Sequence, residues 1–118
     1  ALYTAITGYS TSSTTYLAGT GNNEVDTSGT SYSTGGLALT NAGVDGTSAT
    51  SFIDFNDLTF PSVTLTARGA AIYKDTGSGN ELVLVLDFGG NKTATNGDFI
   101  IQFPTADASN AIIRLGDA

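Results

Sequence analysis

The chain has 118 residues, with 11 acidic and 4 basic side chains, a net charge of −7, and neither His nor Cys. That is one domain's worth of sequence, long enough to bury roughly two-thirds of the surface its unfolded form exposes, without a metal or a disulfide. The missing His and Cys exclude Ser-His-Asp and Cys-His nucleophile systems and the usual zinc sites, and the scattered Arg68, Lys74, Lys92 and Arg114 exclude the clustered cations that nucleic acid demands.

In chain order, residues 1–16 (ALYTAITGYSTSSTTY) lack a basic n-region and an unbroken apolar h-region, so they do not read as an intact signal peptide. Leu2, Tyr3, Ile6 and Tyr9 stand out from Ser, Thr, Gly and Ala and must bury against something, either the domain's own sheet or a neighbouring chain. The segment reads as an N-terminal arm or edge strand. Tyr16-Leu-Ala18 is a short strand candidate, ended by Gly19-Thr-Gly-Asn-Asn23, and Glu24 to Gly29 is a polar turn. Tyr32 to Leu39 is apolar with Gly35-Gly36 inside it, a pattern for a bulge, a bend or a close backbone approach. Thr40 to Ser48 reads as loop. Thr50 to Phe60 reads as a strand kinked near Asn56-Asp57, with Ile53, Phe55, Leu58 and Phe60 inward. Pro61 has no N–H for a ladder and is expected to end it.

Ser62 to Phe103 is the most legible stretch. Val63, Leu65, Ala67, Ala71 and Tyr73 alternate with Thr64, Thr66 and Arg68, the period of a half-buried strand. Asp75 to Asn80 supplies turn residues, Leu82 to Phe88 is a nearly continuous Leu/Val run, and Asn96-Gly97 before Phe99 to Phe103 predicts a second turn and a third strand. Pro104 stops that strand, and Ala111 to Leu115 is the last one. No window carries a helical apolar stripe longer than two turns, and no apolar run approaches a membrane span. The expected fold is all-β: an antiparallel β-sandwich or jelly-roll-like barrel of about seven short strands, with a C-terminal meander and an N-terminal arm. The expected division is 1–16 as arm or edge strand and 17–118 as a single β-sandwich domain.

Carboxylates are the remaining chemistry. Asp54 with Asp57, and Glu24 with Asp26, are close in sequence, but a glycosidase needs two acids facing each other across a sugar, and acids are mostly exposed. All four are therefore expected as surface acids. Asp54-Phe-Asn56-Asp57 or Asp45-Gly46 offers oxygen ligands for calcium, yet the D-x-[DN]-x-[DN]-G pattern with its distal Glu is absent. Neither a cofactor nor a metal site is expected. Tyr3, Tyr9, Tyr16, Tyr32 and Tyr73 suit a carbohydrate platform or, with more weight, core and interface positions. Arg68 is expected to pair with Asp87 on the partner strand.

TARGAAIYKDTG (Thr66 to Gly77) followed by LVLVLDFGGNKTATNGDF (Leu82 to Phe99) resembles a family of small structural proteins of tailed bacteriophages, cyanophages included. NEVDTSGTSYSTGGLAL (Asn23 to Leu39) and FNDLTFPSVTLTAR, with Phe60 where the family has Trp, are similar to it too. The departure is Ala1 to Thr20, where many members carry a helix-like segment and a strand. The resemblance implies a virion component, foremost a capsid cement or decoration protein. Such a protein is made in the bacterial host cytoplasm and sits on the outer capsid surface, a homo-oligomer (a trimer by analogy) bound to the major capsid protein. Leu2, Tyr3, Ile6 and Tyr9 are then the expected partner contacts. A tail, neck or fibre module and a carbohydrate- or receptor-binding module are the alternatives. An enzyme is not expected.

Overall fold

The structure is a computed structural model and describes residues 1–46 and 49–116. It is all-β, and the described residues form six strands: β1 (Leu2–Tyr3), β2 (Asn41–Gly46), β3 (Thr50–Phe55), β4 (Leu58–Lys74), β5 (Glu81–Ile101) and β6 (Ile113–Gly116). Among the described residues the helical content is one 3-10 turn at Thr20–Asn22. The described strands form two three-stranded sheets, β1-β4-β5 and β2-β3-β6, the two-sheet composition of a sandwich. No helix among the described residues is long and apolar enough to cross a membrane. By contacts the chain divides into one unit of Ala1–Leu37 with Phe60–Phe99 and a second of Ala38–Thr59 with Ile100–Ala118.

The first unit is built on β4. Val63, Leu65, Ala67 and Ala71 are buried while Thr64 and Thr66 are exposed, as the alternation predicts. β1 pairs antiparallel with β4, Leu2 opposite Ala70 and Tyr3 opposite Gly69. On the other side of β4 runs β5, joined through Ser62 N–H to Asp98, Thr64 to Asn96, Thr66 to Thr93 and Arg68 to Asp87. Partners descend along β5 as they ascend along β4, so this pair is antiparallel. Between Thr66 and Arg68, two steps on β4 face six on β5, from Thr93 back to Asp87. Residues 88–92 therefore bulge out of the ladder. Gly89 turns there at φ 78°, and its N–H is held by Asp87.

Three expectations fail here. The meander is two long strands, not three: Phe99 to Ile101 is simply the end of β5. Asn96-Gly97 makes no hairpin because Asn96 N–H is caught by Thr64 Oγ1 at 2.9 Å, which keeps the chain on the ladder. Pro61 does not end a strand, because β4 passes through it. Ser62 takes a left-handed φ of 51° and gives its N–H to the Asp98 carboxylate instead of a carbonyl.

The second unit centres on β3. Val44, Ile53 and Ile113 stand opposite one another across β2, β3 and β6. β2 was expected to be loop. It forms because β3 offers a complete partner, with a register shift between Asn41 and Gly43 to absorb its irregular sequence. The break before β4 falls at Asn56-Asp57, as expected, and Asp57 accepts Phe103 N–H at 2.8 Å.

Candidate functional site

The densest polar cluster lies in the first unit around Glu24. Residues 23–25 add a rung beside β1: Thr4 N–H donates to Asn23 O and Val25 N–H to Leu2 O. This places Glu24 opposite Tyr3 with its side chain inward, 2% exposed. Its carboxylate is closed by four donors. Oε1 accepts the Tyr32 hydroxyl at 2.8 Å and Gly35 N–H at 2.6 Å. Oε2 accepts the Tyr16 hydroxyl at 2.7 Å and Gly19 N–H at 2.6 Å. A buried carboxylate is tolerable only when its lone pairs are used in this way.

Gly35-Gly36 is the bend the sequence suggested, and each glycine has its own reason. Gly35, at φ 93°, aims its N–H at Glu24, and a Cβ on it would sit 3.0 Å from the Tyr73 hydroxyl. Gly36, at φ 77°, leaves room for Ala1, whose Cα lies 3.0 Å from where a Cβ would stand. With both in the left-handed region, Tyr32 to Leu39 forms no strand.

The Ala1 amine donates to Ala71 O at 2.9 Å. Burial pushes it down to about 6, against an upward pull from Glu24. The five tyrosines are all consumed internally. Tyr3 donates to Leu17 O at 2.7 Å and meets Tyr9, whose hydroxyl takes Leu17 N–H. Tyr16 stacks on Tyr73 with ring centroids 4.2 Å apart, and Tyr73 donates to Gly35 O. Burial first, then hydrogen bonding and nearby negative charge, pushes the hydroxyls of Tyr3 and Tyr16 well above the usual phenol range. Burial does the same for Tyr32 and also raises the Tyr73 hydroxyl. Phenols locked in this way hold loops together.

The residues expected to contact a partner lie in this same cluster. Leu2 and Tyr3 are fully buried, Ile6 packs over Gly69, and Tyr9 joins Tyr3. The N-terminal segment folds back onto the sheet of its own unit. Of the paired acids, Glu24 and Asp54 are buried, not on the surface as expected. Neither burial has a local signal: the donors to Glu24 come from Tyr16, Gly19, Tyr32 and Gly35, and only the fold joins them.

Asp54, on β3, gives one oxygen to Phe55 N–H, and its Oδ2 is buried with no hydrogen-bond partner. No group of three or more His, Cys, Asp or Glu side chains that could hold a metal ion occurs among the described residues. A shallow hollow is lined, among the described residues, by Thr50, Ala108, Ile112, Arg114 and Gly116. The Arg68–Asp87 pair forms as expected, at 3.2 Å and partly exposed. Gly89 N–H and then Arg68 hold the Asp87 carboxyl below its usual range. No family model, curated protein or solved structure matches this chain.

Proposed function

We propose that this chain is a structural component of a tailed-bacteriophage particle, a cement or decoration protein. It binds the outside of the assembled shell as a homo-oligomer and bridges neighbouring major capsid subunits. One observation carries the reading: the separate motifs that resemble the phage family serve a single structural purpose. Glu24, Tyr32 and Gly35 come from Asn23 to Leu39, Arg68 and Tyr73 from Thr66 to Gly77, and Asp87 from Leu82 to Phe99. They meet as Glu24 with Tyr32 and Gly35, Tyr73 with Gly35, and Arg68 with Asp87. A signature whose side chains hold backbone is that of a scaffold. The net charge of −7 favours a basic partner surface. A protein that binds only the assembled shell stabilises it by mass action.

Because Leu2 and Tyr3 fill the core, deleting the first residues would test folding, not docking. The intact chain is the right reagent. Copy number in purified particles is expected in the hundreds, and stripped shells should melt at a higher temperature once the protein is restored. A handful of copies per particle would place it in the tail or neck, and absence from particles would end the proposal.

A further inference from the structure

We infer that the free edge of β5 is a self-association site that takes β5 of a second copy of this chain in an antiparallel, two-fold pairing. A strand has two hydrogen-bonding edges, and β4 occupies one of those of β5. The other receives only a short piece of the chain itself. Thr15 bridges Glu81, Tyr16 N–H donates to Asn80 O and Leu82 N–H donates to Thr14 O, both at 2.9 Å. This edge therefore already accepts an added antiparallel segment, and the segment stops at the start of the strand. From Val83 onward no further strand follows among the described residues.

The open part is also unguarded. Edge strands are normally blunted by Lys, Pro, a bulge or an inward charge. Leu82 to Leu86 reads LVLVL, with none of these, and Val83 is 51% exposed. The bulge at 88–92 ends the flat section, so the free run is Val83 to Asp87. A two-fold centred on Val85 sets Leu84 against Leu86 of the copy, an apolar cross-strand match. The chemistry favours a second copy over a charged partner, because the run displays no unpaired charge to read. Asp87 is its single ionised residue and is already held by Arg68 and Gly89 N–H. The proposal stands on the strand edge alone and does not rest on the virion reading, so either can fail without the other.

The test is sedimentation velocity on the full chain from about 10 μM to about 1 mM, a range suited to a contact smaller than standard interfaces. The expected result is a monomer passing to a dimer. Raising ionic strength from about 50 to about 500 mM should strengthen the dimer, since two copies of net charge −7 repel at low salt. In this register Val83 faces Asp87 of the copy, so Val83→Asp sets like charges opposite each other on both sides of the axis and should lower the association constant at least about tenfold. Leu115→Asp, at a 75% exposed position on β6, adds the same charge away from the seam and should lower it far less. Amide hydrogen exchange on the unmodified chain supplies a readout independent of variant folding: exchange from Val83 to Asp87 should slow as concentration rises. A monomer throughout, a trimer, equal association by the Val83 variant, equal loss in both variants, or concentration-independent exchange would each overturn the inference.

Discussion

Replacing Glu24 by Gln changes one atom and should undo much of the first unit. The carboxylate accepts two backbone N–H groups at 2.6 Å and two phenols at 2.7 and 2.8 Å, in a site 2% exposed. An amide keeps one acceptor oxygen and turns the other into a donor. Gly19 and Gly35 N–H lie on opposite oxygens, so whichever way the amide is turned, one backbone donor faces another. A phenol can rotate to accept; a peptide N–H cannot. Each hydrogen bond to a charged group contributes about 1.5–3 kcal/mol, and an orphaned buried donor costs about 1–3 kcal/mol more. Glu24→Gln should therefore cost about 3–5 kcal/mol, a large share of the 5–15 kcal/mol typical of a whole domain. Tyr16→Phe and Tyr32→Phe each remove one bond and leave the acid in place, so each should cost less than the Gln variant. Urea denaturation followed by circular dichroism measures all three. A loss below about 1 kcal/mol in Glu24→Gln would refute the idea that this acid is the hub.

Between pH 6 and 8 stability should rise with pH. The buried Ala1 amine is pushed from 8.0 to about 6, so the unfolded chain binds more protons in that window, and two units correspond to at most about 2.7 kcal/mol; a flat urea midpoint across it would contradict the assignment. Above pH of about 10 the sign reverses, because the unfolded tyrosines ionise while Tyr3, Tyr16, Tyr32 and Tyr73 are held protonated by burial. An ultraviolet titration should show these four ionising only together with loss of the sheet signal. Gly69→Ala places a Cβ 2.5 Å from Leu86 O and 2.6 Å from Ile6, and should cost about 1–3 kcal/mol by overpacking, whereas Gly90→Ala meets nothing within 4 Å and should be near neutral by thermal denaturation. Asp54→Asn keeps the oxygen that serves Phe55 N–H and removes a charge whose Oδ2 has no partner, so chemical denaturation should find it no less stable; a loss above about 1 kcal/mol would mean that the second oxygen has a partner after all.

What the sequence made legible was local. The alternation from Val63 to Tyr73 survives because burial on one face of β4 and a single strand period point the same way. The Arg68–Asp87 pair was readable because opposite charges on neighbouring strands have few other partners. β2 was hidden by Asn, Gly and Asp, whose weak strand preference is overridden by pairing with β3. Asn96-Gly97 carried a true turn signal that lost to Thr64 and Asp98. The centre of the first unit was the least legible of all. Glu24 and its donors are a contact among distant segments, and no window of sequence contains it.

The pairing of β1 also imposes an order of events during synthesis. Leu2 and Tyr3 are made before their partners: Ala70 and Gly69 lie 68 and 66 residues further along the chain. At about 5–20 residues per second the delay is on the order of 3–14 seconds. For that time two of the most deeply buried side chains are solvent-exposed, and Glu24, made early, lacks the sheet that covers it. So distant a contact is slow to close even in the full-length chain. In a cell, the N-terminal residues should therefore be the chain's point of exposure to chaperones and proteases until the β1–β4 pair locks.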